Sequence, residues 1–229
     1  MDALKLKVIA RLENDFTSKF GLPRQSGMIC TLVSTVVFEP EYRNPDTLRG
    51  LEGFTHLWLI WGFSENMRAE WSPTVRPPRL GGNARMGVFA TRSPFRPNPL
   101  GLSCVELKAV NLENPSSPTL AVIGADMMNG TPIYDIKPYL PYADNVPYAE
   151  GGYAHDAPDA ALTVVFPDRW LKLIPQEKQA TLMAVLAGDP RPAYQENPER
   201  IYGFGYAGFD IRFQVQDTVL TVAEVVSVP

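Results

Sequence analysis

Proline and glycine set the terms for this fold. The chain of 229 residues carries 22 prolines and 17 glycines, and they interrupt nearly every apolar run before it reaches helical length. Proline lacks a backbone N–H and clashes with the preceding helical turn. Short runs rich in β-branched residues therefore read as strands joined by structured loops. "KLKVIARLEN" at 5–14 alternates over its first half and reads as an opening strand, and "SGMICTLVSTVVF" at 26–38 is a continuous apolar strand. "FTHLWLIWGF" at 54–63 is too short for a typical helix and is expected to be a buried strand. "ARMGVFAT", "LSCVELKAVNLE" and "PTLAVIGADMM" are read in the same way, with a turn at "NGTP".

The pattern changes after a Pro-, Gly-, Tyr- and Asp-rich loop over 138–158. "LTVVFPDRWLKLI" is strand-like, and "PQEKQATLMAVLAG" is the best helix in the chain. It has proline at its first turn, Leu182, Met183, Val185 and Leu186 at helical spacing, and a Gly188-Asp189-Pro190 stop. Two alternating strands around Asp217-Thr218 close the chain. The fold class expected is mainly β, with a main domain over 1–155 and a small α+β domain over 156–229. Removal of the second is expected to spare small-molecule binding in the first.

The segment "ATRSPFRPNPLGLS" at 90–103 is unusual among these loops. Pro94, Pro97 and Pro99 keep Ser93, Arg96 and Asn98 out of the α region. The loop is stiff before anything binds, so Arg92, Arg96 and Asn98 lose little entropy on binding. The alternative is a loop stiffened for stability alone. From Trp71 to Val105 there is no acidic residue and no lysine, but there are five arginines: Arg76, Arg79, Arg85, Arg92 and Arg96. The window carries +5 within a chain of net charge −4, so the remainder carries −9. Such segregation points to a local anionic partner met by planar, bidentate donors. Ion pairing with acids elsewhere in the fold remains open at this level.

Several chemistries are poorly supported. His56 and His155 have no Cys or His neighbours at ligand spacing, so no metal site is expected. "GFGYAG" at 203–208 matches a dinucleotide fingerprint but is followed by an alternating strand rather than a helix, and reads as tight turns. There is no P-loop and no apolar run of membrane-spanning length. The N-terminus lacks a signal peptide's apolar core, and Cys30 and Cys104 suit a reduced cytoplasmic protein.

"PRQSG", "LRGLEGFTHLWLI", "VRPPRLGGNARMGVFATRSPFRPNPLGLS" and "NGTPIYDIKPYLPYAD" together resemble the TsaA-like family, the TrmO-type tRNA (adenine-37-N6)-methyltransferases. The resemblance runs through most of 1–155, and "DPRPAY" near residue 190 is similar to the family's C-terminal domain. It implies a non-Rossmann β-barrel, S-adenosylmethionine as cofactor, a homodimer, and a tRNA anticodon stem-loop as partner. It places Pro23, Arg24, Gln25, Arg92, Leu102 and the turn Asp126, Met127, Met128 and Asn129 against the cofactor, with Ser64 and Glu65 after "LWLIWGF". Ser64 stands where the family often has histidine, and Asn129 replaces the aspartate of the usual "DGTP". Asn129 keeps the turn but removes a charge.

The implied reaction sets N6 of adenine in line with an activated methyl group. Asp135 and Asn98 are candidate acceptors for the amine, and Tyr139 a candidate for orienting the base. An ion pair of Asp135 with Lys137 is the competing reading. The family's substrate adenine carries a threonylcarbamoyl group, whose carboxylate would suit an arginine of the patch. Arg76, Arg79, Arg85 and Arg96, with Arg191, Tyr194, Arg200, Tyr202 and Tyr206 of the tail, are the expected tRNA contacts, against ordinary sheet packing for the aromatics. Two other functions stay in view: a non-catalytic S-adenosylmethionine sensor, and a methyltransferase for a small adenylate or a protein.

Overall fold

The computed structural model describes residues 5–64, 70–155, 161–191 and 197–228. Six antiparallel strands close a barrel: β1 (Ala10–Glu13), β2 (Val33–Phe38), β3 (His56–Gly62), β6 (Leu100–Asn111), β7 (Thr119–Ile123) and β8 (Pro132–Pro138). Their order around the barrel is β1-β2-β7-β6-β3-β8, with β8 returning to β1. Closure leaves no unpaired edge among these strands. Each strand alternates, and the inward set Leu12, Val36, Leu57, Leu59, Trp61, Val105, Leu120, Val122 and Ile133 fills the interior. A small ribbon of β4 (Thr74–Val75) and β5 (Met86–Gly87) lies within the long β3–β6 connection.

A second sheet has the order β10-β11-β12-β9, made of β9 (Thr163–Val165), β10 (Tyr202–Tyr206), β11 (Phe209–Gln216) and β12 (Val219–Ser227). Beside it lie the one-turn helix α2 (Asp168–Leu171) and α3 (Gln176–Ala187), the helix foreseen from its pattern, while α1 (Pro141–Asp144) is a single turn in the loop after β8. Leu182, Val185 and Leu186 are buried against the sheet, while Met183 is only partly covered. "GFGYAG" is β10 and its turn, with Ala207 and Gly208 both at positive φ.

Several segments depart from their expected form: of 5–14 only Ala10–Glu13 is strand, and of "PTLAVIGADMM" only Thr119–Ile123. The apolar run 26–38 is strand only from Val33, because Ile29 and Leu32 leave the barrel and enter the core of the second sheet. "ARMGVFAT" gives two strand residues and then a 3₁₀ turn over Val88–Ala90. In "LTVVFPDRWLKLI" the strand ends at Val165, and Pro167 is the N-cap of α2.

Antiparallel order fixes what meets at each end of the barrel. The connections 14–32, 63–99 and 124–131 all emerge at the carboxyl ends of β1, β3 and β7. The first of them is held by the second sheet. Phe16 packs against Tyr206 with ring centroids 5.2 Å apart, Thr181 Oγ1 donates to the Thr31 carbonyl at 2.8 Å, and Ala207 N donates to the Asp15 carbonyl at 3.1 Å. Lys178 pairs with Asp15.

Candidate active site

Gln25, Arg92 and Asp126 come from the three connections and meet at this barrel end. Arg92 Nη1 donates to Gln25 Oε1 at 2.5 Å, and Arg92 lies close enough to Asp126 to attract its charge. The 24–27 segment is held against the 124–128 turn by Gly27 N donating to the Gly124 carbonyl at 2.8 Å. Asp126 is itself oriented from the barrel interior. Trp61 Nε1 donates to Ser103 Oγ at 2.9 Å, and Ser103 Oγ donates to Asp126 Oδ1 at 2.5 Å. Because the indole can only donate, the serine proton is directed at the carboxylate.

Burial pushes the Asp126 carboxyl above its ordinary value, against the opposing pull of the Ser103 hydrogen bond and the Arg92 charge. The folded state then holds this proton more tightly than the unfolded chain does. Stability is therefore fully present below the ordinary carboxyl value of 3.8 and falls as pH rises through the window up to the raised folded value. Asp126→Asn removes the titration while its amide oxygen still accepts from Ser103. The variant is expected to melt higher than wild type at pH 7 and to lose the stability decline above pH 4, read by thermal melts from pH 3 to 7. A lower melting temperature at pH 7 would show that the charge is stabilising as it stands.

The remaining expected site residues divide by place. Pro23 and Arg24 lie on the same connection, and Arg24 Nη2 reaches the Asp189 carbonyl at 3.4 Å. Leu102 projects outward from β6 and is 55% exposed. Asn98 sits in the proline loop, its carbonyl accepting from Leu100 N at 2.7 Å. Ser64 is exposed at the end of β3, whereas Glu65 and Tyr194 lie outside the described residues. Asn129 clips the turn to the chain after β1, since its Oδ1 accepts from Asn14 N at 3.1 Å and its N–H donates to the Phe16 carbonyl at 2.9 Å. An aspartate could accept the same bond, so the exchange preserves the turn.

Other expectations need correction. Met127 is buried in the barrel core and its carbonyl is taken by Asn14 Nδ2 at 2.8 Å, leaving Met128 as the partly exposed member of the pair. Arg96 turns inward rather than toward a ligand: Nε donates to the Ser93 carbonyl, and Nη2 to those of Val88 and Thr91. Tyr206, at 1% exposed, is a core residue whose hydroxyl donates to the Lys178 carbonyl. Tyr202 is buried and stacks on Phe213 at 5.7 Å. Arg191 makes a two-pronged pair with Asp189, both contacts at 2.8 Å. Sheet packing and local pairing thus claim these side chains, and RNA cannot reach the two tyrosines without opening the core. Arg200 stays exposed, its guanidinium 5.5 Å from the Tyr202 ring.

Asp135 pairs with Lys137 at 2.9 Å on the outer face of β8. Tyr139 is bound through its N–H to the His56 carbonyl, at the start of β3, whereas the Gln25–Arg92–Asp126 cluster lies at the strand's other end. Seven residues of strand put about 20 Å between them, so Tyr139 cannot join that cluster within one chain. Of the basic patch, Arg76, Arg79 and Arg85 are exposed around the β4–β5 ribbon, Arg85 touching Thr74 Oγ1 at 3.2 Å. Ser103 and Trp61 went unnoticed in the sequence. A serine at an inward position of an apolar strand was the available signal, because a buried hydroxyl requires a partner.

Comparison with known proteins agrees over nearly the whole chain. The family model described as tRNA-methyltransferase O N-terminal domain matches residues 11–145, and the TrmO C-terminal domain model matches 159–228. A tRNA (adenine(37)-N6)-methyltransferase of Escherichia coli is 44% identical over 225 residues, covering 95% of each chain. One from Eikenella corrodens is 42% identical over 176 residues, covering 76% of this chain and 98% of its own. Among solved structures, the crystal structure of TrmO from Pseudomonas aeruginosa superposes with a TM-score of 0.81 at 27% identity, covering 99% of both chains.

Proposed function

As a member of the tRNA-methyltransferase O family, this chain is an S-adenosylmethionine-dependent tRNA (adenine(37)-N6)-methyltransferase, and we propose that the adenine it accepts already carries a threonylcarbamoyl group. The observation that carries the site assignment is the meeting of Gln25, Arg92 and Asp126 at one barrel end. This donor set fits the cofactor. The buried Asp126 carboxylate suits a cation, and Arg92 braced by Gln25 suits a carboxylate. The bound cofactor supplies an electrophilic methyl group. The protein's part is to hold the adenine N6 in line with it, and to keep the acceptor geometry fixed through Trp61 and Ser103.

The threonylcarbamoyl carboxylate is assigned to the exposed arginines of the ribbon, Arg76, Arg79 and Arg85. A single-stranded loop lets the base be splayed at less cost than flipping from a duplex. We place the enzyme in the cytoplasm with its substrate, acting as a homodimer. Asp135, Ile60 and Leu102 lie in one register row across β8, β3 and β6, and Leu102 is exposed there. A second copy covering this row would bury Leu102 and bring Asp135 toward the interface.

The test is methyl transfer from labelled S-adenosylmethionine to two tRNA pools, one with threonylcarbamoyladenosine at position 37 and one with plain adenosine. Label is expected only in the modified pool. Equal labelling would remove the carboxylate requirement while keeping the enzyme.

A further inference from the structure

Phe89 is the most exposed phenylalanine among the described residues, at 79%. The turn that carries it is nonetheless held on both sides. It is the centre of the 3₁₀ turn Val88–Ala90, whose first residue is buried. The Val88 carbonyl accepts from Thr91 N at 3.1 Å, from Thr91 Oγ1 at 2.8 Å and from Arg96 Nη2 at 3.1 Å. Arg96 also binds the Thr91 carbonyl, and Val88 N is tied to the Pro73 carbonyl at 3.0 Å. A large apolar ring is thus displayed in solvent by a turn clamped on both sides. It borders an open depression shared with Arg96, Pro97, Asn98 and Leu100, next to the Arg92 cluster.

We propose that Phe89 is a stacking platform for a nucleobase of the tRNA anticodon loop, positioning the loop for the transfer at the neighbouring cofactor cluster. The inference rests on the tRNA reading above and adds a residue to it. Every base offers a π-face, and a fixed aromatic ring gains stacking energy with little entropic loss. Charge selects a base over a second protein as the occupant. In the sequence Phe89 lies between exposed Arg85 and Arg92, in a window with five arginines and no acid, a charge pattern that suits the phosphates of a nucleic acid.

The experiment compares wild type, Phe89→Ala, Phe89→Leu and Phe89→Trp in steady-state methylation of tRNA. It also measures S-adenosylmethionine affinity by calorimetry and mass by sedimentation. Phe89→Ala is expected to raise KM for tRNA about tenfold or more, with cofactor affinity and mass unchanged. Phe89→Trp should restore KM and Phe89→Leu should not. An unchanged KM in the alanine variant, or full rescue by leucine, overturns stacking. A change of mass in the alanine variant overturns it too, in favour of a second copy as the occupant. Failure of the wild-type enzyme to methylate tRNA at all would fall on the functional assignment rather than on Phe89.

Discussion

Removal of residues 160–229 is expected to abolish S-adenosylmethionine binding, although none of the Gln25–Arg92–Asp126 cluster lies in that stretch. Phe16, Ile29 and Leu32 belong to the core that the second sheet and α3 complete. Each such side chain contributes about 1.5–3 kcal/mol when buried. Three returned to water at once would cost an amount comparable with the total stability of an ordinary domain. Gly21, at positive φ, also lies flat on the Phe204 ring; a Cβ there would come within 2.4 Å of it. Without that support the 14–32 connection loses its shape and Gln25 leaves Arg92. Calorimetry on the truncated chain should show a cofactor dissociation constant at least a hundredfold weaker, a loss of about 2.7 kcal/mol. Affinity within threefold of the full chain would show that the connection holds itself. A hundredfold loss would show that the two halves are not separable in the way their compositions suggest.

Gly101→Ala is expected to be the most damaging single methyl in the barrel. Gly101 faces Trp61 across the β3–β6 ladder, and a Cβ at this position would lie 2.2 Å from the indole Cε2. The ring cannot retreat, because Phe63 packs on it at 4.5 Å and Ser103 holds its Nε1. Forcing a methyl into a filled core typically costs about 1–3 kcal/mol. Displacement of the indole adds the loss of a buried hydrogen bond, about 1 kcal/mol more. At about 2–4 °C per kcal/mol, the melting temperature should fall by roughly 5–15 °C. Trp61 moves with its bond to Ser103, so Asp126 loses its orientation and cofactor affinity should drop as well. A variant with wild-type melting and tryptophan fluorescence would contradict this account of the barrel end.

Much of the architecture was legible because it is local. The apolar run "FTHLWLIWGF" is too short for a typical helix and so reads as a strand, and proline and glycine mark the joints whatever lies beside them. The helix at 176–187 declared itself by period and by its proline and glycine boundaries. The rigidity of the 90–103 loop is likewise a property of its own prolines, and motif combinations along the chain identified the family and, through it, the cofactor. Burial is different, because it belongs to the partner surface as much as to the residue. Tyr202, Tyr206 and Arg191 read as an RNA grip from their types alone, and Arg96 as a free cation. Their surroundings made them core residues, an ion pair and a loop clamp.

The site itself depended on strand order. Gln25, Arg92 and Asp126 are separated by 67 and 34 residues, and nothing local relates them. They meet because six antiparallel strands close in the order β1-β2-β7-β6-β3-β8, which sends three particular connections to the same end and leaves Tyr139 at the other. Short-range sterics and side-chain period determined the strands, the turns and the stiff loop from the sequence alone. Which loops share a barrel end, and which polar groups are buried there with partners, was decided only by tertiary closure, since those energies arise between segments far apart in the chain.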